Sequence, residues 1–338
     1  MQIANARCAR FGRRLCVCSR GMTRLPTYTA LDIHDVDDVG SAFAGCEFDS
    51  TQLERGQPSC WYGILDFGDL MVVANRESHA RRDTYHLPAG HSAIAFSAPD
   101  NPPVRWNGFE LTCDHVLVNP YADAYSLVLQ GGHRCIDIII DDALLARWGH
   151  APWTRTFGAT PGRRWALPLG EHGLALRRWL FTSLGNPHLR ARIAKDPTQA
   201  LMFRDELLAA LGRLMEEAGG QHDAAPVRPL RRAALVADAH DLIVSDLARP
   251  RSTVDLAEAL DVSSRVLQYA FQDTVGLAPH RYAFLQRLHA ARRALRQGPH
   301  GRGRVARAAQ RFGFRELGRF SGSYRDHFGE LPSATRHG

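Results

Sequence analysis

The sequence lacks the features that mark membrane and secreted proteins. It has no apolar run near the ~18–20 residues that span a bilayer, and its Arg-rich N-terminus has no uninterrupted apolar segment typical of a secretory signal. Its seven cysteines are odd in number and scattered, and none follows Cys135. A disulfide framework is therefore unexpected, and the composition predicts a cytosolic protein with no membrane partner.

Motifs of catalysis and metal binding are also missing. The sequence contains no Gly-x-Ser-x-Gly elbow, no phosphate-binding glycine loop and no His-Glu-x-x-His. Cys8, Cys16 and Cys18 have no fourth ligand at ordinary zinc spacing, and the histidines around His86 lack a tight His-x-His grouping. We expect no enzyme activity, no cofactor and no metal site.

What the sequence does contain is an uneven distribution of charge. Residues 230–338 hold 18 arginines, no lysine and 10 acidic residues, a net charge of +8, while the rest of the chain sums to −1. A basic excess confined to one region is typical of proteins that bind polyanions such as nucleic acid. A solvated basic surface has the same composition, so the charge alone leaves both interpretations open.

Secondary-structure signals change in kind along the chain. Short β-rich runs separated by turn formers fill residues 46–140, as in an antiparallel barrel or sandwich. Apolar spacing near three and four then predicts helices in 141–148, 171–184 and 197–218. The predicted fold class is therefore α+β, with a β-rich region followed by helices.

The same signals predict the domain boundaries. Residues 219–229 carry glycine and proline without a period, which indicates a linker. It separates a domain over 22–218, for effector binding or dimerisation, from an all-α domain over 230–338. Residues 1–21 have no clean period, and we expect either a flexible basic tail or a translation start at Met22.

The last third contains a diverged duplication. The stretch "VDLAEALDVSSRVLQYAFQDTVGLAP" is matched by "VARAAQRFGFRELGRFSGSYRDHFGELP". Each copy reads as a helix, a tight turn and a second helix. Ser252 or Thr253 can cap the first helix and Ser263 the second, and Gly313 supplies a left-handed turn position in the second copy. This is the helix-turn-helix arrangement, whose second helix lies in the DNA major groove.

The second helix of each unit has a polar face that can read base edges or bind phosphates. The candidate DNA contacts are Ser263, Ser264, Arg265, Gln268 and Tyr269 in a first unit over about 252–275, and Arg315, Glu316, Gly318 and Arg319 in a second over about 302–328. Glu316 is costly beside phosphates, so we expect it to accept from a cytosine amino group or to clamp an arginine. The alternative is a helical hairpin whose polar face meets only water.

At these residues the chain resembles the DNA-binding domain of AraC/XylS-type transcription regulators. The motifs "LAEALDVSSRVLQYAF", "GLAPHRYAFLQRLHAARRAL" and "FGFRELGRFSGSYRDHFGELP" carry the resemblance, which covers about residues 232–335. It implies seven helices, with two helix-turn-helix units joined by a long helix, Pro279–Gln297. The sequence departs from the pattern at Ala308, where the family has a larger aliphatic residue, so we expect looser packing in the second unit.

The resemblance also implies a cupin-like barrel in the front domain that senses a small effector or mediates dimerisation. Aromatic and basic side chains on or beside strands are the pocket candidates, namely Trp61, Arg76, Tyr85, His86 and Trp106. Nearby arginines, including Arg81 and Arg82, would suit a carboxylate effector. Each of these side chains could equally lie in the core or on the surface.

The sequence therefore predicts a sequence-specific DNA-binding transcription regulator, an effector-responsive activator of the cytoplasm. Its expected partners are promoter DNA, RNA polymerase and an effector of unknown identity, with a homodimer left open. One alternative is a metal-dependent or enzymatic cupin-like protein in which DNA binding only locates the activity. Another is a DNA-binding protein that assembles through helix 197–218 and senses nothing.

Overall fold

A computed structural model describes residues 26–43, 46–119, 125–147, 164–220, 226–227, 231–299 and 301–335. The tail or alternative start predicted over residues 1–21, with its cysteines, lies outside these ranges. Within them, strands occupy most of the first part of the chain, and helices make up nearly all of the rest. No helix in the described part is both long and apolar enough to cross a bilayer.

Thirteen strands in the described ranges form two antiparallel sheets. They are β1 Thr27–Ile33, β2 Glu47–Gln52, β3 Cys60–Asp66, β4 Leu70–Glu77, β5 Arg81–His86, β6 His91–Ser97, β7 Val104–Trp106, β8 Phe109–Leu111, β9 His115–Asn119, β10 Tyr125–Leu129, β11 Arg134–Asp141, β12 Arg164–Pro168 and β13 Pro226–Val227. Sheet A has the strand order β1-β3-β4-β11-β6-β9-β12-β13, and sheet B has the order β2-β5-β10-β7-β8.

The described helices are a 3₁₀ helix and ten α-helices. The 3₁₀ helix spans Val36–Ala42, and the α-helices are α1 Asp142–Arg147, α2 Glu171–Gly185, α3 Pro187–Lys195, α4 Pro197–Gly220, α5 Arg231–Ser245, α6 Thr253–Ala259, α7 Ser264–Thr274, α8 Pro279–Gln297, α9 Arg304–Arg311 and α10 Leu317–Phe328. The described residues from 231 onward thus form six helices, not the seven that the resemblance implies, because turns follow Phe328.

The alternation of side chains along the strands separates two apolar layers. On β11, Ile136, Ile138 and Ile140 point to one face of sheet A and pack with helices α2 to α4. The intervening residues Cys135 and Asp137 point to the other face, toward sheet B. The β-rich region is therefore a two-sheet body with a helical layer on the outside of sheet A.

The predicted linker is partly built into this body. Helix α4 continues through Gly220, and Pro226–Val227 pairs antiparallel with Arg164–Trp165 of β12. The lack of periodicity in 219–229 hid a two-residue strand, since two residues are too few to show alternation.

The turns of the C-terminal helices follow local rules that the sequence displays. Ser252 caps α6 in a capping box with Asp255, and the Ser263 hydroxyl accepts from the Val266 amide at the start of α7. The two matching turn positions, Asp261 and Gly313, have φ angles of 52° and 74°. Both helix-turn-helix units are thus closed by a residue in the left-handed region.

The outer face of sheet B and the 3₁₀ helix pack against α8. Arg292 and Arg296 each donate to Asp35 at 2.6 Å, and Arg296 also donates to Asp38 at 2.8 Å. Gln286 donates to the Thr51 hydroxyl at 2.9 Å. The long helix that joins the two helix-turn-helix units is therefore also the surface on which the β-rich body rests.

Replacement of Gly313 by alanine is expected to destabilise the second unit. The left-handed φ alone costs a non-glycine residue about 1–3 kcal/mol, and a Cβ would lie 2.5 Å from the Ala248 carbonyl oxygen. Urea denaturation followed by circular dichroism measures the loss. Gly322→Ala is the matched control, because it lies in helix α10 with open space around it. Equal stability of the two variants would contradict the assignment.

Asp35→Asn tests the docking of α8. Asparagine caps a helix as well as aspartate, so the 3₁₀ helix keeps its cap while the buried Arg292 and the half-buried Arg296 lose their shared carboxylate. Both arginines keep a second carboxylate, Glu330 or Asp38, so we expect the loss of a hydrogen bond to a charged group, about 1.5–3 kcal/mol, in thermal and urea denaturation. Asp32→Asn, the same change at an exposed position of β1, should leave stability unchanged. A wild-type transition in Asp35→Asn would show that the pairing contributes nothing.

Candidate DNA-binding surface and inner cavity

The first helix-turn-helix unit is held by its own apolar core. Leu256 and Ala257 of α6 and Leu267 and Phe271 of α7 are buried in one cluster with residues of α5 and α8. These positions recur every three or four residues along α7, so they use one side of the helix. The opposite side is left facing solvent.

That solvent face carries most of the predicted DNA contacts of the first unit. Ser263, Arg265, Gln268 and Tyr269 are exposed, and Ser264 is half-buried. Arg265 donates to the Tyr269 hydroxyl at 3.1 Å and lies 5.4 Å from the centre of its ring. This stacking holds the guanidinium over the helix surface with several N–H donors still free for a ligand.

The second unit rests on an aromatic core. Phe314 fills the turn, and Phe320, Tyr324 and Phe328 follow along α10 with successive ring centroids 4.9, 5.6 and 4.7 Å apart. Arg287 of α8 covers the Phe314 ring at 4.3 Å and donates to the Phe312 carbonyl. These rings fix the angle at which α10 leaves the turn.

All four predicted contacts of the second unit are exposed at the start of α10. Arg315, Glu316, Gly318 and Arg319 face solvent, and the Arg319 guanidinium meets both carboxylate oxygens of Glu316 at 3.1 Å. Glu316 thus clamps an arginine, one of the two roles expected of it. A Cβ at Gly318 would meet nothing within 4 Å, so the helix backbone is open to close approach.

A second candidate site lies between the two sheets. A small cavity lies among inward-facing residues of strands from both sheets. The centre of a water molecule can occupy about 30 Å³ of it, and the whole space between the surrounding atoms, open mouth included, is about 430 Å³. Its walls are mainly aliphatic and aromatic, with a few polar groups, and include Tyr85, Trp106, Asn119, His133, Cys135 and Asp137. This lining, mostly apolar with a few polar groups, is typical of small-molecule sites.

A network of buried charges adjoins the cavity. Arg81 donates to Glu77 and to Asp83, both at 2.7 Å, and Ser50 donates to Asp83 at 2.7 Å. Burial raises the pKa of Asp83 even against the Arg81 charge, because desolvation of the carboxylate outweighs the attraction. Tyr62 completes the network by donating to Glu77 at 2.5 Å.

Three titratable groups with shifted pKa values line the cavity, namely Asp137, His133 and Cys135. Burial raises the pKa of Asp137 to about 6, although Cys135 and Asn75 bond to its carboxylate. Burial and then the Arg81 charge lower the pKa of His133 to about 4, so its imidazole is neutral at pH 7. Asp137 is therefore the cavity-lining group that can carry charge at neutral pH.

Of the five predicted pocket residues, two line the cavity and three do not. Tyr85 and Trp106 line the cavity. Trp61 does not: it packs on the helical side of sheet A, with the Arg190 guanidinium 4.8 Å from its ring. Arg76 and His86 are exposed. The reason is strand alternation, because Tyr62 and Glu77, beside Trp61 and Arg76, take the inward positions.

The arginines that suggested a carboxylate effector do not face the cavity as free cations. Arg81 is bonded to two carboxylates, and Arg82 points outward and donates to Tyr282 of α8 at 2.9 Å. No arginine is among the described residues that line the cavity.

Sequence reasoning missed Asn119 and Asp137. A signal for Asp137 was present, because "CIDIII" places one acidic residue inside an apolar strand, where a charge needs a reason. Asn119 ends a strand beside a proline, which reads as a turn residue, and its inward direction follows only from the sheet pairing.

The remaining chemistry of the described residues is limited. Burial raises the pKa of the Cys46 thiol to about 11 and moves those of Cys60 and Cys135 upward as well, so these thiols stay protonated and unreactive. No group of three or more histidine, cysteine or acidic residues in the described part is arranged to hold a metal ion.

The C-terminal part of the chain is similar in sequence to known proteins. Residues 256–338 match the family described as "Helix-turn-helix domain". The "Probable thc operon regulatory protein" of Rhodococcus erythropolis is 37% identical over 94 residues, which are 28% of either chain. The "XylDLEGF operon transcriptional activator" of Pseudomonas putida is 36% identical over 93 residues, 28% of this chain and 29% of that protein. The match thus spans under a third of these relatives.

A solved structure also matches a part of the chain. It is a transcriptional regulator from Chromobacterium violaceum described as an AraC-type DNA-binding domain-containing protein. It is 30% identical, with 29% of this chain and 86% of that chain covered and a TM-score of 0.28. The resemblance read from the sequence motifs is confirmed by the family match and the curated relatives. Residues 256–338 of this chain thus carry a helix-turn-helix domain similar to those of these regulators.

Proposed function

We propose that this chain is a sequence-specific DNA-binding transcription regulator of the cytoplasm, an activator that responds to a small-molecule effector. The observation that carries the proposal is the pair of exposed helix faces on α7 and α10. Each face stands on its own buried core, and both are joined through one rigid helix, α8. Two polar faces on a fixed spacer suit successive major-groove segments on one side of a duplex.

The nine predicted contacts are the proposed DNA-reading residues. They are Ser263, Ser264, Arg265, Gln268, Tyr269, Arg315, Glu316, Gly318 and Arg319. Arginine reads guanine through two hydrogen bonds and glutamine reads adenine, so Arg265, Gln268 and Arg319 are proposed to contact bases. The serine hydroxyls and the backbone at Gly318 are proposed to meet phosphates.

The inner cavity is the proposed effector site, and RNA polymerase is the proposed protein partner. A relative named as an operon transcriptional activator supports activation, and an activator has to increase polymerase occupancy or opening at its promoter. A homodimer is likewise a proposal. No specific observation in the described residues favours the enzymatic alternative.

Arg265→Ala and Arg319→Ala should each weaken binding to an operator selected from random duplexes. A lost bidentate base contact costs about 1–3 kcal/mol and relaxes specificity at one position. Titration by fluorescence anisotropy measures both effects. Arg178→Ala, which removes an exposed arginine on α2, is the matched control and should bind like wild type. Wild-type affinity in both test variants would refute the assigned faces.

Binding should also fall steeply with salt, because arginines that neutralise phosphates release counterions. Glu316→Gln frees the Arg319 guanidinium from its clamp. On random duplex, where the base that Arg319 is proposed to read is absent, the freed guanidinium should neutralise a phosphate, so this variant should bind more tightly and show a steeper dependence of log Kd on log salt. The slope rises by about 0.9 for each added phosphate contact. An unchanged slope in Glu316→Gln would mean that Arg319 stays away from phosphates.

A further inference from the structure

The interior between the two sheets carries unbalanced charge. Glu77 and Asp83 are buried there and Asp137 is half-buried on the cavity wall, and Arg81 is the guanidinium in the described interior that offsets these three carboxylates. Glu77 and Asp83 both bond to Arg81. A buried carboxylate without a cation is costly, so the interior is short of positive charge.

Asp137 has no ion pair among the described residues. Burial raises its pKa and outweighs the Arg81 charge, which lowers it, and the Arg81 guanidinium is bonded to the other two carboxylates. The described partners of Asp137 are neutral: the Asn75 amide donates at 2.7 Å, and the Cys135 thiol lies at 3.5 Å. His133, on the same cavity wall, has its pKa lowered to about 4 and so supplies no positive charge at pH 7. A cation that entered the cavity would meet a partly dehydrated anion.

A second observation in the same cavity points to a ligand with hydrogen-bond donors. Asn119 lines the cavity and is 3% exposed, and neither its amide oxygen nor its amide nitrogen has a partner among the described residues. A buried amide of this kind is satisfied in most proteins by a group or a water. Its oxygen and the Asp137 carboxylate are both acceptors that line the cavity, on β9 and β11 at either side of β6. A protonated amine supplies the donors that such groups accept.

The rest of the cavity suits an apolar body. Tyr85 and Trp106 pack in one apolar cluster with Leu117 and Leu127, and all four line the cavity. Aromatic faces attract cations and also accept aliphatic or aromatic groups. A free carboxylate ligand would find no arginine in this lining.

We propose that the cavity binds a small organic amine in its protonated form, with the ammonium held by Asp137 and Asn119 and the apolar part against Tyr85 and Trp106. This deepens the proposed function, since it names the chemical class of the effector. Binding to the cavity is measured without DNA, so its failure leaves the DNA-binding assignment standing, and the reverse also holds.

The experiment uses the full chain and matched trios of probes. Isobutylamine, cyclohexylamine, benzylamine and phenethylamine are each compared with the corresponding alcohol and carboxylate in thermal-shift and calorimetric titrations at pH 7.5. We expect at least one amine to raise the melting temperature with a saturable response, while its alcohol and carboxylate do not. No response to any amine at 10 mM, or an equal response to the alcohol or carboxylate, would overturn the proposal.

Variants place the binding in the cavity. Asp137→Asn should weaken the active amine about tenfold or more, and Asn119→Ala should weaken it several-fold and serves if Asp137→Asn fails to fold. Asp205→Asn, the same change as Asp137→Asn at an exposed position of α4, should bind like wild type. Undiminished amine affinity in the folded cavity variants would place the amine elsewhere and reject the assignment.

Discussion

Helix α8 is the element on which the rest of the structure depends, because it has three tasks at once. It separates the two recognition helices, it contributes residues to both of their cores, and it receives the β-rich body through Arg292 and Arg296. Leu53, which follows β2, packs against both helix-turn-helix cores. Any displacement of the β-rich body therefore bears on the spacing between the two reading faces.

The ion pairs between α8 and the β-rich body also determine which arginines remain free to bind DNA. Three arginines of α8 are engaged by Asp35, Asp37, Asp38 and Asp49, so a part of the +8 is neutralised within the molecule. The charge left for a duplex lies on the reading helices and around α9. The net charge counted from residues 230–338 therefore overstates the positive potential that DNA meets, because arginines already paired with carboxylates of the same molecule attract few counterions.

The cavity and the docking face are separated by the thickness of one strand. On β5, Tyr85 lines the cavity while Arg82 turns outward to the Tyr282 hydroxyl, which in turn lies 2.8 Å from His240 of α5. A ligand that alters β5 thus reaches a contact with the first helix-turn-helix unit. This contact alone does not regulate DNA binding. Regulation requires that the effector bind with different affinity to the forms in which the β-rich body is docked on α8 and released from it.

What the sequence could predict follows from the range of the interactions involved. The bounds of α8, the caps at Ser252 and Ser263 and the turn at Gly313 rest on neighbours within a few residues, and all were predictable. Strand β5 carries no apolar alternation of its own, because its inward positions include Arg81 and Asp83, and a buried ion network takes the place of apolar side chains. Helix α3 was missed because it buries one residue, Ile193.

The cavity could not be predicted from any local pattern. Its walls come from β6, β9 and β11 of sheet A and from β5, β7 and β10 of sheet B, and only the tertiary fold brings these two sheets face to face. The same reasoning applies to Ala308. Ala308 is 6% exposed and lies in one apolar cluster with Phe314 and residues of α8 and α10, and looser packing there stays a prediction. The side chains that fill the space beside a small residue come from other elements, so a local pattern does not contain them.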